Sequence, residues 1–291
     1  MKQIMDARSI LFVPGNRPER FSRALSSGAD AIVLDLEDAV GSIEKPAARL
    51  AVMDYLAAPR SESVRVGVRV NHIGSRDGIA DLAALYDSPV SPDFILLPKV
   101  EAAAEVELTA RLMAEGGKAP EIICTIESAR GLLACAAIGS AHPLVTGLAL
   151  GGADLVADLR AELTWETLFA ARCTIVHVAS MHAIGAFDVP WFDIRDIAGV
   201  GAEAKRVRSL GFTGKLAIHP LHVPGINAAF TPSATEIADA QEILDLAATA
   251  GGNAASWRGR MIDEAILRSA RRLMSRARAT PDHFGPRRGP K

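Results

Sequence analysis

The sequence is poor in the features that mark several classes of protein. Only 3 of its 291 residues are cysteine, 5% are aromatic, and no two cysteines form a CxxC pair. These numbers argue against a disulfide-built domain and a thiolate zinc site, and they favour a reducing compartment. A net charge of −2 gives no reason to expect a nucleic acid or an acidic membrane surface as a partner.

Targeting and membrane signals are also missing. The first 15 residues carry charges and then Pro-Gly, without the apolar core of a signal peptide. No apolar run approaches the ~20 residues that a membrane-spanning helix needs. We therefore expect a cytoplasmic protein with no membrane partner. Its 49% apolar composition is ample for a large buried core.

A short apolar run, rich in β-branched residues and closed by turn-forming residues, recurs along the chain. Segments with helical spacing separate these runs, and this alternation predicts parallel βαβ units. Eight units favour a TIM (β/α)8 barrel over an open doubly wound sheet. The predicted strands lie in Ser9–Gly15, Ala31–Asp38, Val64–Asn71, Phe94–Val100, Glu121–Ser128, Leu144–Asp154, Ala183–Pro190 and Lys215–Pro220.

The chain after the eighth run has a different character. Ser233 and Glu236 fit a capping box that opens a helix, and a second amphipathic helix follows it. The last residues are rich in Pro, Gly and charge, which is typical of disorder. We therefore predict an α/β fold with a TIM barrel over residues 1–222, a C-terminal helical extension or lid over 223–278, and a disordered tail over 279–291.

Polar residues follow the apolar part of nearly every predicted strand. Because the carboxyl ends of all strands of such a barrel meet at one mouth, these side chains should gather there. The stretch AIVLDLEDAV places Asp35, Glu37 and Asp38 directly after a buried strand. At least one of the three should bond loop backbone or hold a basic side chain. The other polar strand ends are Asn16, Arg17, Arg69, Asn71, Lys99, Glu127, Asp154, Asp188 and His219.

Glu127 and Asp154 end neighbouring strands, and two carboxylates close together repel one another. A hard divalent cation relieves that repulsion. Mg²⁺ takes one or two protein carboxylates and keeps its other positions for water and substrate oxygens. The small residues of the GGAD segment would allow close approach to Asp154. We therefore predict Mg²⁺ at Glu127 and Asp154; the alternative is a structural ion pair of Glu127 with Lys99 or Arg130.

Two bases at strand ends have alternative roles. Arg69 could bind a carboxylate or enolate oxygen through two hydrogen bonds, or it could be the counter-ion of Glu37 or Asp38. These two roles are compatible. Lys99 could form a Schiff base, but we favour an ion pair that orients the acids of the second strand.

Two further features suggest lesser roles. Gly15, followed by Arg17 and Arg20 at a helix start, would suit a phosphate group. His219 could act as a general base, although a histidine at a strand end more often bonds the neighbouring backbone.

Eight motifs together carry a family resemblance. In chain order they are LFVPGNRPERF, GADAIVLDLEDAV, RVN, LLPKV, IES, GGAD, LGFTGKLAIHP and GRMID, spanning about Ser9 to Ile266. The set resembles the citrate lyase beta-subunit family, which includes malyl-CoA, citramalyl-CoA and citryl-CoA lyases of the phosphoenolpyruvate/pyruvate barrel superfamily. The resemblance implies a magnesium-dependent, commonly trimeric TIM barrel that cleaves or forms a carbon–carbon bond next to a CoA thioester.

The resemblance also implies roles for particular residues. Glu127 and Asp154 would hold the metal, and Arg69 would contact the substrate carboxylate or the thioester enolate oxygen. Asp263, in GRMID, would match an acid that the C-terminal segment offers to a neighbouring subunit's site. The candidate catalytic residues are therefore Arg69, Glu127 and Asp263; the candidate substrate contacts are Arg69, Glu127, Glu37, Asp38 and Lys99; the candidate CoA contacts are Arg17 and Arg20.

Two positions depart from the family pattern. Ala153 stands where relatives often have an acid directly before the metal-binding aspartate, which could alter metal affinity. Glu264 stands where relatives often have proline, which could alter the pose of Asp263.

The expected reaction is retro-Claisen cleavage of malyl-, citramalyl- or citryl-CoA to an acyl-CoA and a 2-keto acid. Three alternatives stay open. The chain could be the catalytic beta subunit of a multi-subunit citrate lyase, acting on a carrier-bound thioester. It could be a class I aldolase that uses Lys99, or a metal- and keto-acid-binding protein without turnover.

Overall fold

The computed structural model of the chain describes residues 3–59, 64–250 and 255–279. In its first unit, which ends at Phe230, eight parallel strands close into a barrel in sequence order. This confirms the predicted TIM (β/α)8 fold. The strands are β1 (Ser9–Pro14), β2 (Ala31–Asp35), β3 (Arg65–Arg69), β4 (Phe94–Leu97), β5 (Glu121–Ile126), β6 (Val145–Leu150), β7 (Gly185–Asp188) and β8 (Gly214–Ala217).

Helices separate the strands along the chain. Four of these helices have an N-cap residue whose side chain accepts a hydrogen bond from a backbone N–H of the first turn. These N-cap residues are Ser75, Ser128, Thr164 and Asp196. No described helix is both long enough and apolar enough to cross a membrane. The helices are α1 (Phe21–Leu25), α2 (Lys45–Ala57), α3 (Arg76–Asp87), α4 (Ala103–Glu115), α5 (Ala129–Gly139), α6 (Gly152–Asp158), α7 (Trp165–His182), α8 (Ile197–Leu210) and α9 (Val223–Phe230).

The strands are apolar on both faces because both faces are buried. One set of alternating residues fills the barrel interior and the other set packs under the helices, forming two separate core clusters. Gly67 makes room for an interior ring, since a Cβ at this position would lie 2.3 Å from the Phe94 ring. The interior set includes Ile10, Phe12, Val33, Phe94, Leu96, Ile123, Ala149, Phe187 and Leu216.

The end of the first unit lies at α9, which packs on the amino-terminal end of the barrel sheet. Asn227 accepts a hydrogen bond from the Ser9 hydroxyl at 2.7 Å and donates one to the Gly28 carbonyl at 2.8 Å. The predicted extension over residues 223–278 includes this helix, whereas the first unit of the structure ends after it, at Phe230.

The second unit contains the two predicted helices, α10 (Ala234–Ala250) and α11 (Glu264–Ala279). The Ser233 hydroxyl accepts from the Glu236 N–H, and the Glu236 carboxylate accepts from the Ser233 N–H, as a capping box requires. Between the helices lies an antiparallel hairpin that the sequence reading missed, β9 (Ala255–Trp257) and β10 (Arg260–Ile262). The predicted tail beyond Ala279 lies outside the described residues.

A buried ionic network joins β7 and β8 to the helices outside the barrel. Asp188 accepts from Arg172 Nε at 2.8 Å and from Lys215 Nζ at 2.6 Å, and all three residues are at most 1% exposed. Glu203 on α8 bonds the same two cations. Two acids thus balance two bases away from water. Asp188 therefore does not face the mouth of the barrel, contrary to the sequence-based expectation.

We predict that Asp188→Asn will lower the free energy of unfolding by about 3–5 kcal/mol, because it leaves two buried cations with one carboxylate. Urea denaturation checks this. The control is Arg130→Ala, which removes an exposed partner that lies 3.6 Å from Glu101 and should change stability by less than about 1 kcal/mol. Equal effects of the two substitutions would contradict the prediction.

Candidate active site

A cleft of about 330 Å³ opens at the carboxyl ends of the barrel strands. Its floor is apolar, and polar side chains stand around it. The apolar lining includes Phe12, Leu96, Leu150 and Leu216, and the polar lining consists of Asp35, Asp38, Arg69, Thr125, Glu127 and Asp154. The predicted strand-end residues Arg69, Glu127, Asp154 and Asp38 are therefore brought together.

Asp35 organises the entrance to this cleft from the end of β2. Its carboxylate accepts from Arg69 Nε at 2.7 Å and from Arg69 Nη2 at 2.6 Å. The same carboxylate accepts the backbone N–H of Glu37 at 2.9 Å and of Ala39 at 3.2 Å. Of the three acids after the second strand, Asp35 is therefore one that hydrogen-bonds the loop backbone and also pairs with a basic side chain, that of Arg69.

The other two acids of this loop pair with Arg69 and Lys99. Glu37 contacts Arg69 Nη1 at 2.9 Å and forms a short ion pair with Lys99. Asp38 is more exposed and lies 3.6 Å from Arg69 and 3.4 Å from Lys99. Burial raises the pKa of Glu37, while the neighbouring Arg69 and Lys99 oppose that rise.

Both bases are held in their charged forms. Burial alone would lower the pKa of Lys99, but the Glu37 carboxylate raises it well above its ordinary value. Burial likewise opposes the charge of Arg69, and the Asp35 carboxylate raises the pKa of Arg69. A protonated amine is not a nucleophile, so the geometry favours the ion-pair role of Lys99 over a Schiff base.

The backbone of Lys99 is also strained. Its φ of 52° lies in the left-handed region, which costs a non-glycine residue about 1–3 kcal/mol and is found most often at functional sites. This conformation accompanies the contact of the Lys99 ammonium group with the loop that follows β2.

Glu127 differs from the three acids of the loop after β2, because no described residue lies within ion-pair distance of it. It is only 4% exposed, and its Oε2 has no hydrogen-bond partner. Burial, together with the charges of Glu37 and Asp154, raises the pKa of Glu127 to about 8 against the opposing charges of Lys99 and Arg69. The alternative pairing with Arg130 is not formed, since Arg130 lies beside Glu101 instead.

Gly151, the residue before α6, makes space for this carboxylate. A Cβ at Gly151 would lie 2.2 Å from Glu127 Cγ and 2.9 Å from Oε1. The glutamate therefore packs directly on the backbone that leads to Asp154, an exposed residue in the first turn of α6. The GGAD segment allows the close approach that its small residues suggested.

Two oxygens of this site suit a hard cation, but they would not be a complete set of ligands. In the described ranges no group of three or more His, Cys, Asp or Glu side chains is arranged to hold a metal. Glu127 and Asp154 could supply two oxygen ligands, which leaves the remaining positions for water and substrate. The partnerless Oε2 of Glu127 and its raised pKa fit such a role.

Four other candidates, all in the first unit, do not line the cleft. Arg17 and Arg20 are exposed in the segment after β1. Gly15 is needed for packing, because a Cβ there would lie 2.7 Å from the Asp35 carbonyl oxygen. His219 Nδ1 accepts from the Leu221 N–H at 3.3 Å, which is the backbone-bonding role. Asp263 belongs to the second unit, where its Oδ1 caps α11 by accepting from the Ile266 N–H at 2.8 Å.

Two residues of the site were missed in the sequence. Thr125 lines the cleft with a buried hydroxyl that has no partner among the described residues. It lies two positions before Glu127, so the period of the strand could have placed both on one face. Lys45 donates to the carbonyls of Leu36 and Glu37, at 3.3 and 3.2 Å, and so fixes the loop after β2. No strand-end pattern points to Lys45.

The fold and these residues define a TIM-barrel protein of the carbon–carbon lyase class. The family model described as HpcH/HpaI aldolase/citrate lyase matches residues 8–220, and a model for carbon–carbon bond lyases of the TIM-barrel fold matches residues 173–280. This chain belongs to the HpcH/HpaI aldolase/citrate lyase family.

Relatives of known name are similar over nearly the whole chain. A citrate lyase subunit beta-like protein of Mycobacterium tuberculosis is 35% identical over 92% of this chain and 94% of its own length. An L-malyl-CoA/beta-methylmalyl-CoA lyase of Cereibacter sphaeroides is 32% identical over 93% and 94%. The crystal structure of the M. tuberculosis protein CitE with magnesium, acetoacetate and coenzyme A is 32% identical, with a TM-score of 0.80 over 94% of this chain and 99% of that one.

We predict that Asp35→Asn will lower the free energy of unfolding by about 3 kcal/mol, because it removes the partner of a mostly buried guanidinium. Denaturation with urea at neutral pH measures the change. The matched control is Asp38→Asn, whose carboxylate is 55% exposed and should contribute less than about 1 kcal/mol. The assignment of Asp35 as the organising acid is wrong if Asp38→Asn is the more damaging change.

Proposed function

We propose that this protein is a magnesium-dependent lyase that cleaves a malyl-, citramalyl- or citryl-CoA-type thioester to an acyl-CoA and a 2-keto acid. The observation that carries the proposal is the buried Glu127, whose Oε2 lacks a partner in the same cleft as Asp154. Relatives named as a citrate lyase subunit and a malyl-CoA lyase support the reaction class. The relative crystallised with magnesium and coenzyme A supports the cofactor and the thioester.

Glu127 and Asp154 would hold the cation, with Gly151 leaving the space that Glu127 needs. Bound Mg²⁺ would supply a Lewis acid that polarises the oxygens of the keto-acid portion of the substrate. The raised pKa of Glu127 would fall on binding, because a divalent charge favours the carboxylate form.

Arg69 would bind the thioester end of the reacting group. Asp35 engages Nε and Nη2, and Glu37 lies 2.9 Å from Nη1. The second N–H of Nη1 would be the donor for a substrate oxygen. When the carbon–carbon bond breaks, its electron pair passes to the thioester as an enolate, and Arg69 would offset the developing negative charge. The substrate hydroxyl loses its proton as the keto acid forms, and the enolate carbon gains one. Asp263 would carry the second proton transfer.

The remaining residues would shape the substrate's surroundings. Glu37, Asp38 and Lys99 would border the substrate, and the strained Lys99 would keep the acidic loop in place. Arg17 and Arg20 would meet CoA phosphates as exposed cations. We further propose a homo-oligomer, with a trimer favoured, in which Asp263 serves a neighbouring copy.

A second candidate function uses the same chemistry with another partner. The chain would be the catalytic beta subunit of a multi-subunit citrate lyase, as relatives named citrate lyase subunit beta suggest. Turnover of free acyl-CoA by the purified chain alone would favour the first candidate. Binding of magnesium and pyruvate without cleavage of any thioester would instead favour a protein that has lost turnover.

We predict that Glu127→Ala will abolish magnesium-dependent cleavage in a screen of malyl-, citramalyl- and citryl-CoA, because it removes a metal ligand. Asp263→Ala should keep magnesium and keto-acid binding but lose turnover, because it removes only the proton-transfer group. Product formation and calorimetric binding separate the two results. A Glu127→Ala variant as active and as responsive to magnesium as the unmodified protein would refute the metal assignment.

We predict that Gly151→Ala will weaken magnesium binding at least about tenfold, a change that corresponds to about 1.4 kcal/mol. The added Cβ would have to displace the Glu127 side chain, and the backbone at this position, with φ of −93°, is otherwise open to alanine. Calorimetric titration with Mg²⁺ measures the effect. Gly201→Ala is the control, since a Cβ there meets no atom within 4 Å. Unchanged affinity in Gly151→Ala would show that Glu127 does not hold the ion.

A further inference from the structure

A hydrogen-bonded network outside the cleft holds the loop that follows β2. Lys45 is the first residue of α2, and its Nζ donates to the carbonyls of Leu36 and Glu37, at 3.3 and 3.2 Å, and to Asn71 Oδ1. An ammonium group has three N–H donors, and these three acceptors use all of them. Neither Lys45 nor Asn71 lines the cleft. The network therefore reaches the loop from outside the substrate's space.

The preferences of a helix do not explain a lysine at this position. The first turn of a helix favours acidic side chains, because its unpaired N–H groups give that end a partial positive charge. Lys45 stands at this end of α2 and opposes the preference. Its bonds to the loop provide a reason for the residue that the helix itself does not.

Asn71 connects the same loop to α3. Its Nδ2 donates to the Leu36 carbonyl at 2.8 Å and to Asp81 Oδ2 at 2.7 Å, and the same oxygen of Asp81 accepts the Asn71 backbone N–H at 2.8 Å. Asp81 is 0% exposed, and its other oxygen accepts from Arg49 Nε at 2.6 Å. A lysine only donates and a carboxylate only accepts, so these partners fix which end of the Asn71 amide is which. Lys45, Asn71 and Asp81 together are called the loop network below.

The peptide group between Leu36 and Glu37 is bonded at both of its ends. Asp35 accepts its N–H at 2.9 Å, and the loop network donates to its carbonyl oxygen. Because a peptide group is planar, its N–H and its carbonyl cannot turn independently. The same Asp35 carboxylate pairs with Arg69. One rigid group therefore links Lys45 to the acid that holds Arg69.

We propose that Lys45 and Asn71 are positioning residues for Arg69, a role in the reaction that rests on the proposed function. They act through the loop, which carries Glu37 to within 2.9 Å of Arg69 Nη1. Without them, the loop and the guanidinium would no longer keep one arrangement relative to the substrate. Stabilisation of the enolate charge would then fall more than substrate binding, because that charge develops only in the transition state.

Steady-state kinetics of two lysine variants separate this role from a general loss of stability. Lys118 is a matched control, because its Nζ also donates to two backbone carbonyls, those of Tyr86 and Gly116, at 2.6 and 3.1 Å, and it does not line the cleft. With the thioester that the unmodified protein cleaves, Lys45→Met should lower kcat at least about tenfold and change KM by less than about twofold. Lys118→Met should change neither constant.

Two further variants and a binding measurement sharpen the kinetic result. Asn71→Asp places a carboxylate against the Leu36 carbonyl and Asp81, so it should lower kcat as Lys45→Met does. Lys45→Arg keeps the charge and several donors, so it should be less impaired than Lys45→Met. Calorimetric titration of Lys45→Met with Mg²⁺ should give the affinity of the unmodified protein, because the loop network does not bond the proposed metal ligands.

Hydrogen exchange followed by mass spectrometry tests the hold on the loop without the reaction. The N–H groups of Glu37 and Ala39 donate to Asp35, and in Lys45→Met they should exchange at least about fivefold faster than in Lys118→Met. Unchanged exchange overturns the proposal, as does an equal fall of kcat in the two lysine variants. A raised KM or a lost Mg²⁺ affinity in place of the fall of kcat also overturns it. If the unmodified protein cleaves no thioester, the proposed function fails, and the exchange rates alone then decide whether the loop network holds the loop.

Discussion

The bidentate ion pair between Asp35 and Arg69 is the interaction on which the mouth of the barrel depends. The two residues are Cα partners at the ends of β2 and β3, so the register of the sheet sets their approach before any side chain is considered. Asp35 is 1% exposed and uses the same carboxylate to bond two backbone N–H groups of the following loop. One buried acid therefore fixes a guanidinium and a loop together, and charge-assisted bonds of this kind are both strong and directional.

This arrangement decides which acids are free to act. The loop after β2 brings two further carboxylates, and they occupy the remaining edge of Arg69 and the ammonium group of Lys99. Both bases of the site are thereby neutralised by the loop, and Glu127 is left without a cation of its own. Burial then keeps its pKa near 8. The same set of charges thus separates acids that build the site from an acid that is available to a ligand.

The barrel could be predicted because its signal is local and repeated. Apolar runs closed by polar residues marked all eight strands, and the strand order followed from parallel βαβ units. The convergence of Arg69, Glu127 and Asp154 on one cleft followed from the same rule. The expectation that a polar residue at a strand end faces the mouth failed at Asp188, because successive side chains of a strand point to opposite faces of the sheet. Phe187 fills the barrel interior, so its neighbour must face the helices.

Other residues needed information that no local pattern holds. Lys215, near the start of β8, finds its partners on β7 and α8, and only the closed sheet brings those elements together. The need for a buried acid could have been predicted from Arg172, since a charged residue on the buried face of α7 requires an acid nearby. The hairpin in the second unit was missed because its strands have three residues each, too few to show a period.

Buried polar atoms that lack hydrogen-bond partners occur on both sides of the segment that follows β7. In the cleft, the Oε2 of Glu127 and the hydroxyl of Thr125 have no partner among the described residues; outside the barrel, N–H groups of Arg172 and Trp191 have none. Buried polar atoms are nearly always satisfied in folded proteins, so each deficit indicates the chemistry that would complete it. A buried acceptor with a negative charge calls for a cation, as the magnesium proposal for Glu127 requires.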